Sequence, residues 1–201
     1  NESTFAGSLA NEEMGVPGVS PYLAFGKTYG KMTGMPVGLI QTSLGGSPME
    51  RWNPKDGDLY LNMLDKIHQT GGKYAGVLWY QGCSDTNPGP AEKYLEHFRE
   101  YVEATRKELG YEIPFFTMQL NRQINGINDE CWGMVRDAQA RAAKEIPGVS
   151  VLTTSNLSLC DGIHNTAQAN VALGEKLAKQ CAHVLNGKEE YQPPELVKVE
   201  R

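Results

Sequence analysis

Four apolar runs of strand length punctuate the chain, at positions 37–42, 75–80, 114–120 and 149–154, each entered from a turn signal or a proline. The runs are continuous rather than alternating, the pattern of strands covered on both faces, as in a parallel sheet. Between them the spacing changes to that of helices. In 91–109 the residues Tyr94, Phe98, Tyr101 and Val102 recur at intervals of three and four, and Ala167, Val171, Leu177, Cys181 and Val184 do much the same later. Segments 21–32, 59–68 and 130–146 are further helical candidates. Strand and helix alternate throughout, which predicts an α/β fold: a parallel sheet with helices on both faces, because right-handed crossovers leave few other arrangements. In such sheets chemistry collects at the carboxyl ends of the strands.

Composition narrows this picture. A chain of 201 residues suits one domain, predicted over 1–186, and residues 187–201, with Pro193-Pro194 among alternating charges, read as a linker or tail. No run approaches the roughly 18 apolar residues of a membrane span, so no membrane role is expected. The net charge is −5 and the Lys and Arg residues are dispersed, so the chain lacks the basic footprint of a nucleic-acid binder. Cys83, Cys131, Cys160 and Cys181 lack the close pairing of a zinc site, and the four histidines are scattered, so no metal is expected. Four thiols can form two bridges or none, and Asn156-Leu157-Ser158 is a formal glycosylation sequon, which leaves the redox compartment open. The chain starts at Asn1, with neither Met nor signal peptide, and is expected to be a processed or trimmed piece of something longer.

Three of the four strand ends lead into unusual residues. The stretch Asp161-Gly162-Ile163-His164 follows the last run. A carboxylate bonded to one imidazole nitrogen fixes the tautomer and leaves the other nitrogen free to take a proton from a nucleophile. The same residues also suit a simpler pairing, Asp161 capping the next helix and His164 standing at the surface. Gly45-Gly46 follows the first run. Glycines there let backbone N–H groups approach an oxyanion or a phosphate, although a strand-to-helix turn calls for glycine in any case. No Lys followed by Ser or Thr closes this loop, which removes nucleotide binding. Gln81, after the second run, places an amide at the mouth of the sheet, as an oxyanion donor or as a partner for loop backbone. Cys83 is a candidate thiol nucleophile, set against the commoner inert cysteine of a packed interior.

Taken in order, Leu44-Gly45-Gly46-Ser47-Pro48-Met49-Glu50-Arg51-Trp52, Leu78-Trp79-Tyr80-Gln81-Gly82-Cys83-Ser84-Asp85, Val135-Arg136-Asp137-Ala138-Gln139 and Asp161-Gly162-Ile163-His164 resemble the sialate O-acetylesterase branch of the SGNH hydrolases, which includes acetylxylan esterase relatives. The likeness spans roughly 21–182. It implies a flavodoxin-like three-layer fold and a serine carbohydrate esterase without a cofactor, acting on acetylated sugars. It also implies a site outside the cytosol: secreted, periplasmic or lysosomal. Position by position, Asp161 and His164 match the family's acid and base. Gly45-Gly46 matches its oxyanion backbone and Gln81 its oxyanion amide, while Arg136 and Gln139 match positions of structural support. Cys83 replaces the family's usual Glu.

The family's first block, Gly-Gln-Ser-Asn-Met after a first strand, has no counterpart. Ser8, in Phe5-Ala6-Gly7-Ser8-Leu9-Ala10-Asn11, is a weak candidate because no apolar strand precedes it. In the strand order 2-1-3-4-5 the first strand is central. The sheet is therefore expected to lack its middle strand in this chain, with that strand and the nucleophilic Ser supplied by a missing segment or a second polypeptide. Two rival expectations remain: a non-catalytic carbohydrate-binding or partner-dependent subunit, and a thiol hydrolase using Cys83.

Overall fold

The computed structural model describes residues 19–187. Ser8 and residues 188–201 of the expected tail lie outside the described residues. Three parallel strands, β1 (Val77–Trp79), β2 (Phe115–Met118) and β3 (Val149–Leu152), pair in the order β1-β2-β3. Val77 lies opposite Phe115, and Phe115 opposite Val149. Five helices surround them: α1 (Tyr22–Thr33), α2 (Asp58–Thr70), α3 (Pro90–Leu109), α4 (Asp129–Glu145) and α5 (Ala167–Asn186). All five match expected helices to within about two residues at each end, and the three strands are the cores of the last three apolar runs.

Neighbouring side chains on a strand leave on opposite faces, and the cores follow. Phe115, Trp79 and Val149 pack with Tyr94, Phe98 and Tyr101 of α3, Val135 of α4, and Leu59 and Met63 of α2. Phe116, Leu78 and Leu152 pack with Phe25 and Tyr29 of α1, and Leu173, Leu177 and Cys181 of α5. Each fully buried large apolar side chain stabilises the fold by about 1.5–3 kcal/mol relative to exposure. The first cluster is the more aromatic, with Trp52 edge-on to Trp79 at 5.1 Å and Tyr101 tilted over Trp79 at 4.6 Å. Local signals set the helix ends: Pro90 opens α3 while Glu92 accepts from the Gly89 N–H at 2.5 Å, and Thr166 caps α5 by accepting from Ala169 N.

The first apolar run is the correction. Residues 37–42 are not a strand but an irregular segment with Leu39 48% and Ile40 39% exposed. An extended segment becomes a strand only by closing a ladder with a neighbour, and none of the described strands flanks this one. It faces the open edge of β1 across a cavity of about 420 Å³. That cavity is walled by Phe25, Phe116 and Cys181 from one apolar cluster and by Trp52, Met63 and Ile113 on the other side. Among the described residues the observed order is thus the last three strands of the expected five, beside a gap at sheet level.

Candidate active site

The Asp161 turn is built by its own backbone. Leu159 and Asn165 form an antiparallel bridge, and the Cys160 N–H donates to His164 O at 2.9 Å. Within this loop Asp161 Oδ1 accepts from the N–H groups of Ile163 at 2.8 Å and His164 at 2.7 Å. Its other oxygen, Oδ2, lies 2.7 Å from His164 Nδ1. The two backbone donors, joined by the imidazole, hold the Asp161 carboxyl down at about 2. A carboxylate thus occupies Nδ1 and leaves Nε2 as the basic nitrogen, the arrangement required of a general base. Asp161 does not cap α5, since Thr166 does, so the helix-cap alternative falls away.

The glycine turn is exposed, with Gly46 at a φ of 70°. Neither the Gly45 nor the Gly46 N–H has a hydrogen-bond partner among the described residues. Beneath it the chain is tightly held: Ser47 Oγ donates to Leu44 O at 2.8 Å, and Trp52 Nε1 donates to Ser47 Oγ at 3.1 Å. The Met49 N–H is shared between both oxygens of Asp85 at 3.1 Å.

Gln81 makes the loop-backbone contact that stood beside the oxyanion role among its expected tasks. Its Nε2 donates to Ser47 O at 2.9 Å and to Asp85 Oδ2 at 2.5 Å, which takes both amide protons. An amide so engaged presents no N–H to an oxyanion; Gln81 braces the glycine turn against the end of β1. Its Oε1 is buried without a partner among the described residues. Asp85, 3% exposed, completes the brace, and burial raises its carboxyl above the usual range despite those donors.

Arg136 and Gln139 on α4 serve as the structural supports expected of them. Gln139 accepts from the Leu120 N–H at 2.8 Å and donates to Gln81 O at 2.9 Å, clamping the ends of β2 and β1 together. Arg136 donates to Leu120 O and, at 2.8 Å, to Ser155 Oγ. Gly82 lies against this clamp with a φ of 144°, where an added Cβ would sit 3.0 Å from Gln139 Nε2 and 3.1 Å from Val135. Gly82→Ala is expected to cost about 1–3 kcal/mol of unfolding free energy, measured by urea titration.

Cys83 lies partly buried in the turn Cys83–Asp85 that follows β1. Burial, with a further push from the Asp161 and Asp85 carboxylates, raises its thiol to about 11. At pH 7 about one molecule in 10⁴ holds the thiolate, a poor nucleophile population. Two outcomes are expected: Cys83→Ser leaves the rate of ester hydrolysis within about threefold, and alkylation at pH 7–8 modifies exposed Cys160 while Cys83 reacts only above about pH 10. The end of β1 and the Asp161 turn meet through Asn165 Nδ2, which donates to Tyr80 Oη at 3.0 Å.

Three sequence-predicted blocks therefore converge at the carboxyl ends of the strands. The segment after the glycine turn bonds to Gln81 and Asp85, and Tyr80, just before that loop, bonds to Asn165 beside His164. Sequence reasoning missed the third strand end: Asn121, 1% exposed, donates to Asn165 Oδ1 at 2.7 Å, and Asn165 donates to Tyr80 Oη at 3.0 Å. The signal was a polar pair, Gln119 and Asn121, at the end of an apolar run. Among the described residues no group of His, Cys, Asp or Glu is placed to hold a metal, and no helix is long and apolar enough to cross a membrane.

The model of the carbohydrate esterase, sialic acid-specific acetylesterase family matches residues 5–183. A protein named "Probable carbohydrate esterase" from Arabidopsis thaliana is 28% identical over 173 residues, covering 82% of this chain and 64% of its own. The chain thus spans just under two thirds of that relative. A crystal structure of an Arabidopsis thaliana protein superposes with a TM-score of 0.76 at 26% identity, over 85% of this chain and 71% of that one. A carbohydrate acetylesterase from Xanthomonas citri does so with 0.72 at 26%, over 83% and 40%. The family match runs through the glycine turn, the Gln81 loop and the Asp161–His164 turn alike, and the chain belongs to the carbohydrate esterase, sialic acid-specific acetylesterase family.

Proposed function

We propose that this chain carries the acid–base half of a serine-type carbohydrate O-acetylesterase, with the nucleophilic Ser supplied from outside residues 19–187. The observation that carries the reading is the 2.7 Å contact between Asp161 Oδ2 and His164 Nδ1, on a carboxylate already fixed by two backbone N–H groups. His164 Nε2 takes the proton of the Ser hydroxyl as its oxygen attacks the acetyl carbonyl, and Asp161 stabilises the imidazolium that forms. The exposed N–H groups of Gly45 and Gly46 stabilise the developing oxyanion. Collapse of the tetrahedral intermediate breaks the ester C–O bond, and His164 gives the proton to the departing sugar oxygen, which leaves as the free hydroxyl. Water then repeats the cycle on the acetyl-enzyme and releases acetate.

The gap at sheet level supports a first strand from a segment preceding Asn1 in the natural protein. Its walls are apolar on both sides, as for a strand covered on both faces, and the first 18 residues of this chain contain no apolar run of strand length. The substrate class, acetyl esters on sugar hydroxyls, follows the Xanthomonas citri acetylesterase and the family, and we extend the same reading to a site of action outside the cytosol.

The test is acetate release from a peracetylated monosaccharide by the protein with its natural upstream sequence. Release that is abolished by a serine-directed fluorophosphonate is expected. A fully extended protein that binds acetylated sugar without releasing acetate would instead establish a binding subunit.

A further inference from the structure

A general base must be held still, yet the Asp161 and His164 side chains are 52% and 63% exposed on a turn that belongs to no helix or strand. Most of the turn's bonds are internal: the Leu159–Asn165 bridge, Cys160 N–H to His164 O, and Ser158 Oγ against Thr166 Oγ1 at 2.7 Å. These fix its shape but not its place. Of the bonds that leave it, Ile124 N–H to Gly162 O at 3.0 Å leads to an exposed loop.

Asn165, bonded through the peptide to His164, reaches the sheet. Its Nδ2 donates to the hydroxyl of Tyr80, the residue after β1, and at 3.3 Å to Asn170 Oδ1 in the first turn of α5. Its Oδ1 accepts from Asn121 Nδ2, just beyond β2. The anchors are rigid: Asn121 also donates to Leu157 O at 3.2 Å and accepts from the Arg122 N–H at 2.8 Å, while its carbonyl accepts from Trp132 Nε1 at 2.8 Å. Three of the four hydrogen bonds open to the Asn165 amide are made, each to a different element.

We propose that Asn165 is a positioning residue for His164, registering the base against the carboxyl ends of β1 and β2 through Tyr80 and Asn121. The inference rests on His164 being the base, and it adds a device that neither the Asp161 contact nor the family match assigns. A small displacement of a catalytic group carries a large rate penalty, about 10²-fold for 1 Å, whereas substrate binding is little affected. An anchor of this kind acts on kcat and leaves KM alone.

Asn165→Leu, Tyr80→Phe and the double variant provide the test, made in the protein with its natural upstream sequence. Asn165→Leu is expected to lower kcat about 10–100-fold with KM within about threefold, and Tyr80→Phe about 3–10-fold. The double variant is expected to match Asn165→Leu within about twofold, because both substitutions break one linkage. In parallel, the low-field ¹H resonance of the His164 ring N–H bonded to Asp161 is expected to broaden in Asn165→Leu while the bulk of the spectrum is preserved. Unchanged kcat, multiplicative losses in the double variant, or an unaltered ring resonance would each overturn the proposal. Should Asn165→Leu fail to fold, Tyr80→Phe decides alone: a melting midpoint within about 2 °C of the parent with kcat unchanged refutes the linkage. Absence of esterase activity in every form would sink the catalytic reading instead, and the ring resonance would still report whether Asn165 places His164.

Discussion

His164→Ala is expected to lower kcat/KM for an acetyl ester by about 10³-fold or more while leaving the fold intact. The two halves of that expectation come from different facts. His164 lies outside both apolar clusters and its side chain is 63% exposed, so truncation opens no cavity. Asp161 keeps both backbone donors, Ile163 N–H and His164 N–H, which do not depend on the imidazole. The turn therefore survives while the group that moves the proton is gone. Acetate release by the naturally extended protein, with the melting midpoint as control, checks both halves. A rate within about threefold of the parent removes His164 from the mechanism.

Asp161→Asn is expected to lower kcat by about 10²–10⁴-fold with KM little changed. The Asn oxygen can still accept from the two backbone N–H groups, so the loop keeps its form. The remaining amide offers Nδ1 a proton instead of a negative charge, favouring the tautomer whose Nε2 carries hydrogen and has no lone pair for the nucleophile's proton. The wild-type carboxylate is ionised over the whole working range. Its value, about 2, lies below the ordinary 3.8, so its stabilising interactions are fully present above pH 3.8 and are lost as pH falls toward 2. Because Asp161 is exposed, the readout is local: the ¹³C carboxyl shift of Asp161 should titrate near pH 2. A midpoint near 4 would mean that the two backbone donors and the imidazole do not hold it.

How much of this was legible beforehand depends on where each residue's partners lie. Helices α1 to α5 could be read because the period of three to four is local to each segment. Runs 75–80, 114–120 and 149–154 became strands because they pair with one another. Segment 37–42 has the same apolar composition but no described strand beside it, and composition cannot register a missing neighbour. The Asp161–His164 contact was readable because a three-residue turn brings the pair together. Gln81 left two tasks open in the sequence because its acceptor Ser47 O lies 34 residues away. Asn121 and Asn165 were overlooked because amides after strands resemble solvated loop residues; only the fold shows that they meet across 44 positions. Cys83 looked like a nucleophile by its position, but burial and the neighbouring carboxylates keep it protonated.

The most direct measurement is covalent labelling of the naturally extended protein with a fluorophosphonate, followed by peptide mapping, in the parent and in His164→Ala. The expected result is a single adduct on a Ser outside residues 19–187, formed rapidly in the parent and slowed by orders of magnitude when His164 is removed. An adduct on a residue within 19–187, or labelling indifferent to the loss of His164, would contradict a base in this chain serving a nucleophile from beyond it.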